Sequence, residues 1–164
     1  MCVFSKSFYY NHNEPELFPF EKKENGSFDM SKPCEAFWEM LETRIKELDQ
    51  MEIQCDLILF HPYDRWGFSK MTKDEAMEYL SYAVDMLGHL DNIWWSLANE
   101  YDTVLDFPED WWMDFAKLVK EKDKRGHLLS NHHLLILVAV VLALSVSDDS
   151  QDCLLSTHSL LPVS

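Results

Sequence analysis

The sequence predicts an α/β fold in which buried parallel strands alternate with amphipathic helices. Leu57-Ile-Leu-Phe60 and Ile93 to Ala98 are short apolar runs without alternation, the pattern of strands covered on both faces. The segments between the runs carry apolar residues at helical spacing. The last three candidate strands recur about every 35 residues, close to the length of one strand–helix–strand unit.

Taken in order, Met1 to Phe4 reads as a short strand, followed by a long loop with Pro15, Pro19 and Gly26 set among aromatic and charged residues. That loop is too aromatic for a disordered linker and reads as an ordered excursion. Ser31 is expected to cap a first helix with Pro33 in its opening turn. Phe37, Trp38, Leu41, Ile45 and Leu48 share one face of that helix. After the Leu57–Phe60 strand comes HPYDRWGFSKM, and then Thr72 and Glu75 form a capping box. Ala76, Leu80, Ala83, Val84 and Leu87 make the second helical stripe, which Gly88 stops. The strand Ile93–Ala98 follows. Asp106 and Pro108 open a third helix with Trp111, Trp112, Phe115, Leu118 and Val119 on its apolar side. Gly126 is expected to end it, and His127 to Asn131 reads as one more strand.

The 164 residues are enough for one domain with a real core, and 47% apolar with 26% charged residues is an ordinary globular balance. A net charge of −15 argues against nucleic acid and anionic membranes as partners, since both need a basic footprint. The 6 Trp, 6 Tyr and 10 Phe serve first as core filling and second as ring-stacking surfaces of the kind sugar sites use. Cys2, Cys34, Cys55 and Cys153 form no CxxC pair, so no metal knuckle or redox motif is expected, and Cys55 reads as a buried free thiol. His127, His132, His133, His158 and Cys153 match no standard zinc spacing; no metal and no cofactor is expected. The N-terminus carries no apolar stretch of signal-peptide length, which makes a cytoplasmic setting the default; the chain reads as beginning inside a strand, and an export signal upstream of it is the alternative.

In parallel sheets the chemistry collects in the loops after the strands. Polar groups cluster there after each buried run: Lys6 after the first; His61, Asp64 and Arg65 after the second; Asn99, Glu100 and Asp102 after the third; Asn131 and His132 after the fourth. A shared site on one rim is the expectation.

A Trp-rich buried strand ending in Asn-Glu, WSLANE, resembles the fourth strand of the glycoside hydrolase clan with (β/α)8 barrels. CVFSKSFYYNHNEPELFPF, DLILFHPYDRWGFSKM, WWSLANEYD and GHLLSNHH together resemble a bacterial family of glycosidase-like proteins whose barrels sit between β-sandwich domains. The resemblance covers about residues 1–133 and implies a partial (β/α)8 TIM-type barrel, strands two to five. It also implies Glu100 as the general acid/base, Asn99 as a ligand of the sugar 2-hydroxyl, and a carbohydrate substrate. The clan's nucleophile, a second Glu at the end of strand seven, has no counterpart, so this chain alone is expected to be inactive. The alternative is an inert carbohydrate-binding remnant or assembly fragment, with self-association through exposed barrel edges. After His133 the pattern stops: residues 134–164 form an apolar, then polar tail that reads as a non-native or truncated end. The uncharged run Leu134–Val146 is shorter than the ~20 residues a membrane-spanning helix needs.

For the acid/base role Glu100 is flanked by Trp95 and Tyr101, and a desolvating aromatic wall would keep its proton on. Trp66 is a natural stacking platform for a sugar, or else loop packing. His61 either binds hydroxyls or bonds a neighbouring loop. Asp64 and Arg65 read first as an internal ion pair bracing their loop, and second as substrate ligands. Tyr101, Asp102 and His132 complete the expected sugar-binding set.

Overall fold

The computed structural model describes residues 1–7, 10, 13–104, 106–132 and 140–142. Three parallel strands form its centre: β3 (Cys55–Phe60), β4 (Ile93–Ala98) and β5 (Leu129–Asn131). The opening segment lies beside β3, where Cys2 bridges Ile58 in parallel and Val3 N–H donates to the Ile58 carbonyl at 2.9 Å. Three of the expected parallel strands are present in the expected order, and the expected Met1–Phe4 strand is reduced to this bridge beside β3. Its far edge differs: β6 (Val140–Leu142) runs antiparallel to β5, with Ser130 opposite Val141. Apart from β6, the tail from residue 133 onward lies outside the described residues.

Strand alternation divides the sheet into two faces. Leu57, Leu59, Trp95 and Leu97 are buried on the face that meets the helices. On the other, Ser96 Oγ donates to the Asp56 carboxylate and lies 2.7 Å from Ser130 Oγ, so oxygen atoms link three strands side by side.

Helix α1 (Glu35–Gln50) buries Phe37, Trp38, Leu41 and Ile45, the stripe its spacing predicts. Its start corrects the sequence reading. Ser31 and Pro33 belong to a strand, β2 (Phe28–Pro33), which pairs antiparallel with β1 (Phe20–Lys22) in a hairpin. The Ser31 hydroxyl is turned to Asp29 Oδ1 at 2.7 Å, and Cys34 stands at the helix cap without a side-chain hydrogen bond. The hairpin wins because it packs aromatic rings: Phe20 and Phe28 lie against Phe68, and Trp38 Nε1 donates to the Pro19 carbonyl at 3.0 Å.

Helix α2 (Lys73–Leu87) begins with the capping box of Thr72 and Glu75, both halves in place. Gly88 ends it at an ordinary φ of −65°. Glycine is required there by contact, since a Cβ would stand 2.6 Å from the Val84 carbonyl oxygen. Helix α3 (Glu109–Lys122) buries Trp112, Phe115 and Val119. It stops at Lys122, ahead of Gly126, which occupies a left-handed turn (φ 69°) leading into β5. Lys73 to Asp114 and Lys122 to Asp85 tie α2 to α3. No helix among the described residues is long and apolar enough to cross a membrane.

Candidate active site

Each strand tip is stitched to its neighbour by backbone. Asn99 N–H donates to the Phe60 carbonyl at 3.0 Å, joining β4 to β3. His132 N–H donates to the Ala98 carbonyl and Tyr101 N–H to the His132 carbonyl, joining β5 to β4. Asn131 Oδ1 accepts from Ala98 N–H at 3.1 Å, so its side chain continues the ladder. These bonds set Asn99, Glu100, Tyr101 and His132 on one rim.

Glu100 sits directly after that junction with φ 56° and ψ 55°, the left-handed region that costs a side-chain-bearing residue about 1–2 kcal/mol. A short 3-10 turn, Tyr101–Thr103, follows it. The Glu100 carboxylate accepts a hydrogen bond from the hydroxyl of Tyr63, which comes from the loop after β3. That bond to an anion, with desolvation adding to it, pushes the Tyr63 phenol up to about 12, so it is a donor throughout the physiological range.

His61, at the tip of β3, is fully buried. Its Nδ1 accepts from Tyr63 N–H at 3.2 Å and its Nε2 stands 3.0 Å from the Phe4 carbonyl, which fixes the proton on Nε2. Burial holds its pKa below the ordinary histidine value. His61 therefore bonds the neighbouring strand and presents no ring nitrogen to the rim. Phe4, His61, Tyr63 and Glu100 form one connected line from the opening segment to the end of β4.

The expected Asp64–Arg65 ion pair is corrected. Asp64 accepts from four backbone N–H groups, those of Trp66, Gly67 and Phe68 on Oδ1 and Ser69 on Oδ2, at 2.6–3.0 Å. An acceptor so surrounded shapes the loop. Arg65 instead reaches Glu14 at 2.7 Å, and Trp66 Nε1 donates to the other oxygen of Glu14 at 3.0 Å. The Arg65 guanidinium also lies over the Trp66 ring, 5.1 Å from its centre. Glu14 thus holds a half-exposed indole in place, and the bond from Trp66, more than that from Arg65, lowers its pKa.

Trp95 is a second correction. It is fully buried, its indole N–H donates to Asp123 Oδ2 at 3.2 Å, and its ring meets His127 edge-on. Those partners lie at the amino ends of β4 and β5, so Trp95 is core and does not wall Glu100. Tyr101 does stand beside it, edge-on to Trp112, and burial raises its phenol pKa. Asp102 is half-buried in the same turn. Among the described residues no cluster of three or more His, Cys, Asp or Glu is arranged to hold a metal. His127 is engaged with Asp123 and the Leu90 carbonyl, while His133, Cys153 and His158 lie outside the described residues.

Sequence reasoning missed two residues. Tyr63 is one; the signal was its place two residues after the strand-end histidine, within the same rim loop as Asp64 and Arg65. Glu14 is the other, and its partners lie more than 50 residues away, beyond any local pattern.

The parallel sheet carries the Glu100 carboxylate and the Tyr63 phenol bonded to each other on the carboxyl side of its strands, with the half-exposed Trp66 indole in the same loop as Tyr63. A family model described as "Apiosidase-like, catalytic domain" matches residues 6–151, and the chain belongs to that family. It is also similar to a crystal structure of a glycoside hydrolase candidate from Bacteroides vulgatus, at 40% identity and a TM-score of 0.77. That match covers 81% of this chain and 28% of the other, so the chain spans little more than a quarter of that protein's length. No curated protein matches it.

Proposed function

We propose that this domain carries the acid/base half of a glycosidase site, with Glu100 delivering the proton that lets an O-glycosidic bond break. The observation that carries the reading is the Glu100 carboxylate at the end of β4, held across the rim by Tyr63. Glycoside cleavage needs one carboxyl group to protonate the leaving oxygen and a second to attack or to activate water. The order of the parallel strands supports a partial (β/α)8 barrel, strands two to five, in which position Glu100 falls where the clan's acid/base stands. Asn99, fixed by its backbone bond to Phe60, is the donor for the sugar 2-hydroxyl. Trp66, oriented by Glu14 and overlaid by Arg65, offers the exposed part of its indole to a sugar, and Tyr101, Asp102 and His132 line the remaining rim. The family's description points to apiosides, a class of pentosides, as the substrate.

The test is turnover of a panel of alkyl and aryl glycosides, an apioside included, by the purified chain and its Glu100→Gln variant. Loss of general acid catalysis predicts a fall of about 10²–10⁴-fold in kcat on alkyl glycosides. Equal turnover by the two proteins would reject the assignment. A second reading, favoured by the half-exposed Trp66 indole held by Glu14, is a domain that binds carbohydrate without turning it over. Calorimetry showing sugar binding that weakens in Trp66→Ala, with no turnover in either protein, would support that second reading.

A further inference from the structure

Tyr63 is held on every side before it reaches Glu100. Its N–H bonds His61 Nδ1, and its carbonyl accepts from Ser7 N–H at 2.6 Å. Its ring lies nearly parallel to the His61 imidazole, at 22°, and the Lys6 ammonium sits 5.3 Å from its centre. The backbone of the opening segment and the buried histidine therefore fix the phenol, and its hydroxyl spans from one strand tip to the next.

We infer that Tyr63 is the positioning residue that decides which oxygen of Glu100 works as the acid: by donating to Oε2 it makes that atom the acceptor and puts the carboxylic proton on Oε1. This rests on the reading of Glu100 as the acid/base and deepens it. A hydroxyl proton aimed at Oε2 excludes a second proton from the same lone-pair direction, whereas the carbonyl oxygen of a neutral carboxyl group accepts such a bond without strain. The phenol stays protonated to about 12, so the direction of donation holds at any working pH. As the bond from the sugar carbon to the leaving oxygen breaks, its electron pair stays with that oxygen, which takes the Oε1 proton. Glu100 becomes a carboxylate, still bonded to Tyr63; the water whose oxygen bonds to the vacated sugar carbon then gives one proton back to Oε1. Holding one rotamer of a flexible side chain on a left-handed backbone removes the orientational search before proton transfer.

The bond is tested without turnover. Tyrosine labelled with 13C at Cζ, titrated by NMR in the full chain, should show the Tyr63 phenol ionising near 12. In Glu100→Gln the charged acceptor is lost, and that midpoint should fall by about one unit or more toward the ordinary value. An unchanged midpoint overturns the inference. Kinetics add a second arm. Tyr63→Phe keeps the ring and should lower kcat on alkyl glycosides about 10-fold or more with little change in KM. The deficit should shrink on dinitrophenyl glycosides, whose leaving group needs no proton. An equal deficit on both substrates would mark a merely structural role and overturn the inference. Full alkyl-glycoside turnover by Glu100→Gln would instead defeat the acid/base reading and leave the titration result intact, so the two failures are distinguishable.

Discussion

His61 is a neutral ring with a proton donor on one side and an acceptor on the other, so protonating Nδ1 would set it against the Tyr63 N–H. Its pKa is lowered by burial, so below the ordinary value of 6.5 the unfolded chain binds a proton that the folded chain refuses. Stability from this group is complete above that value and declines as pH falls beneath it, by at most about 1.4 kcal/mol per pH unit. Urea unfolding of wild type and His61→Asn between pH 7.5 and pH 5, taken at about half-unit steps, should give curves that converge toward the acid end. Parallel curves would exclude the buried neutral ring. Asp64 carries a different load. Removing it in Asp64→Ala leaves four loop amides without their acceptor, three of them on a single oxygen. A loss of about 2–4 kcal/mol in urea unfolding is expected, with a smaller loss for Asp64→Asn, which keeps one oxygen.

Among the elements, those set by near neighbours in sequence were legible in advance. The Thr72–Glu75 capping box spans three residues and is present as read; Thr72→Ala should cost about 1 kcal/mol in thermal unfolding. The apolar runs of β3 and β4 and the three helical stripes were equally legible, because burial on a fixed period needs no partner to be known. The β1–β2 hairpin was not, since a segment such as Asp29-Met-Ser-Lys-Pro33 reads as a helix entry until the strand across from it is known. The orientation of Trp95 was within reach. Ser96 in the middle of an apolar run marks the polar face, which turns its neighbours Trp95 and Leu97 toward the helices. At the site, the loop positions of Glu100, Asn99 and Trp66 were legible, whereas the Tyr63–Glu100 contact joins residues 37 apart and carries no local mark. Asn92 shows how an element is fixed at its start: its side-chain amide donates to the Ile45 and Ile53 carbonyls at 3.0 and 3.1 Å, while its own carbonyl accepts from Cys55 N–H. Asn92→Ala should therefore lower stability by about 1–3 kcal/mol, read as a lower urea midpoint.

For the whole molecule the dominant electrostatic fact is a net charge of −15 on 164 residues. Self-repulsion at that charge opposes compaction and is screened by salt. Raising sodium chloride from about 10 mM to about 150 mM should raise the melting temperature, since the Debye length contracts from roughly 30 Å to 8 Å. A falling melting temperature would mean that ion pairs such as Lys73–Asp114 outweigh the repulsion.

At the amino end of the sheet, Asp123 gathers the indole N–H of Trp95, the backbone N–H groups of Arg125 and His127, and the His127 ring. That knot lies at the opposite end of β4 from Glu100. The start of the sheet is therefore anchored by one carboxylate whose bonds are independent of the loops at the far tips of the strands.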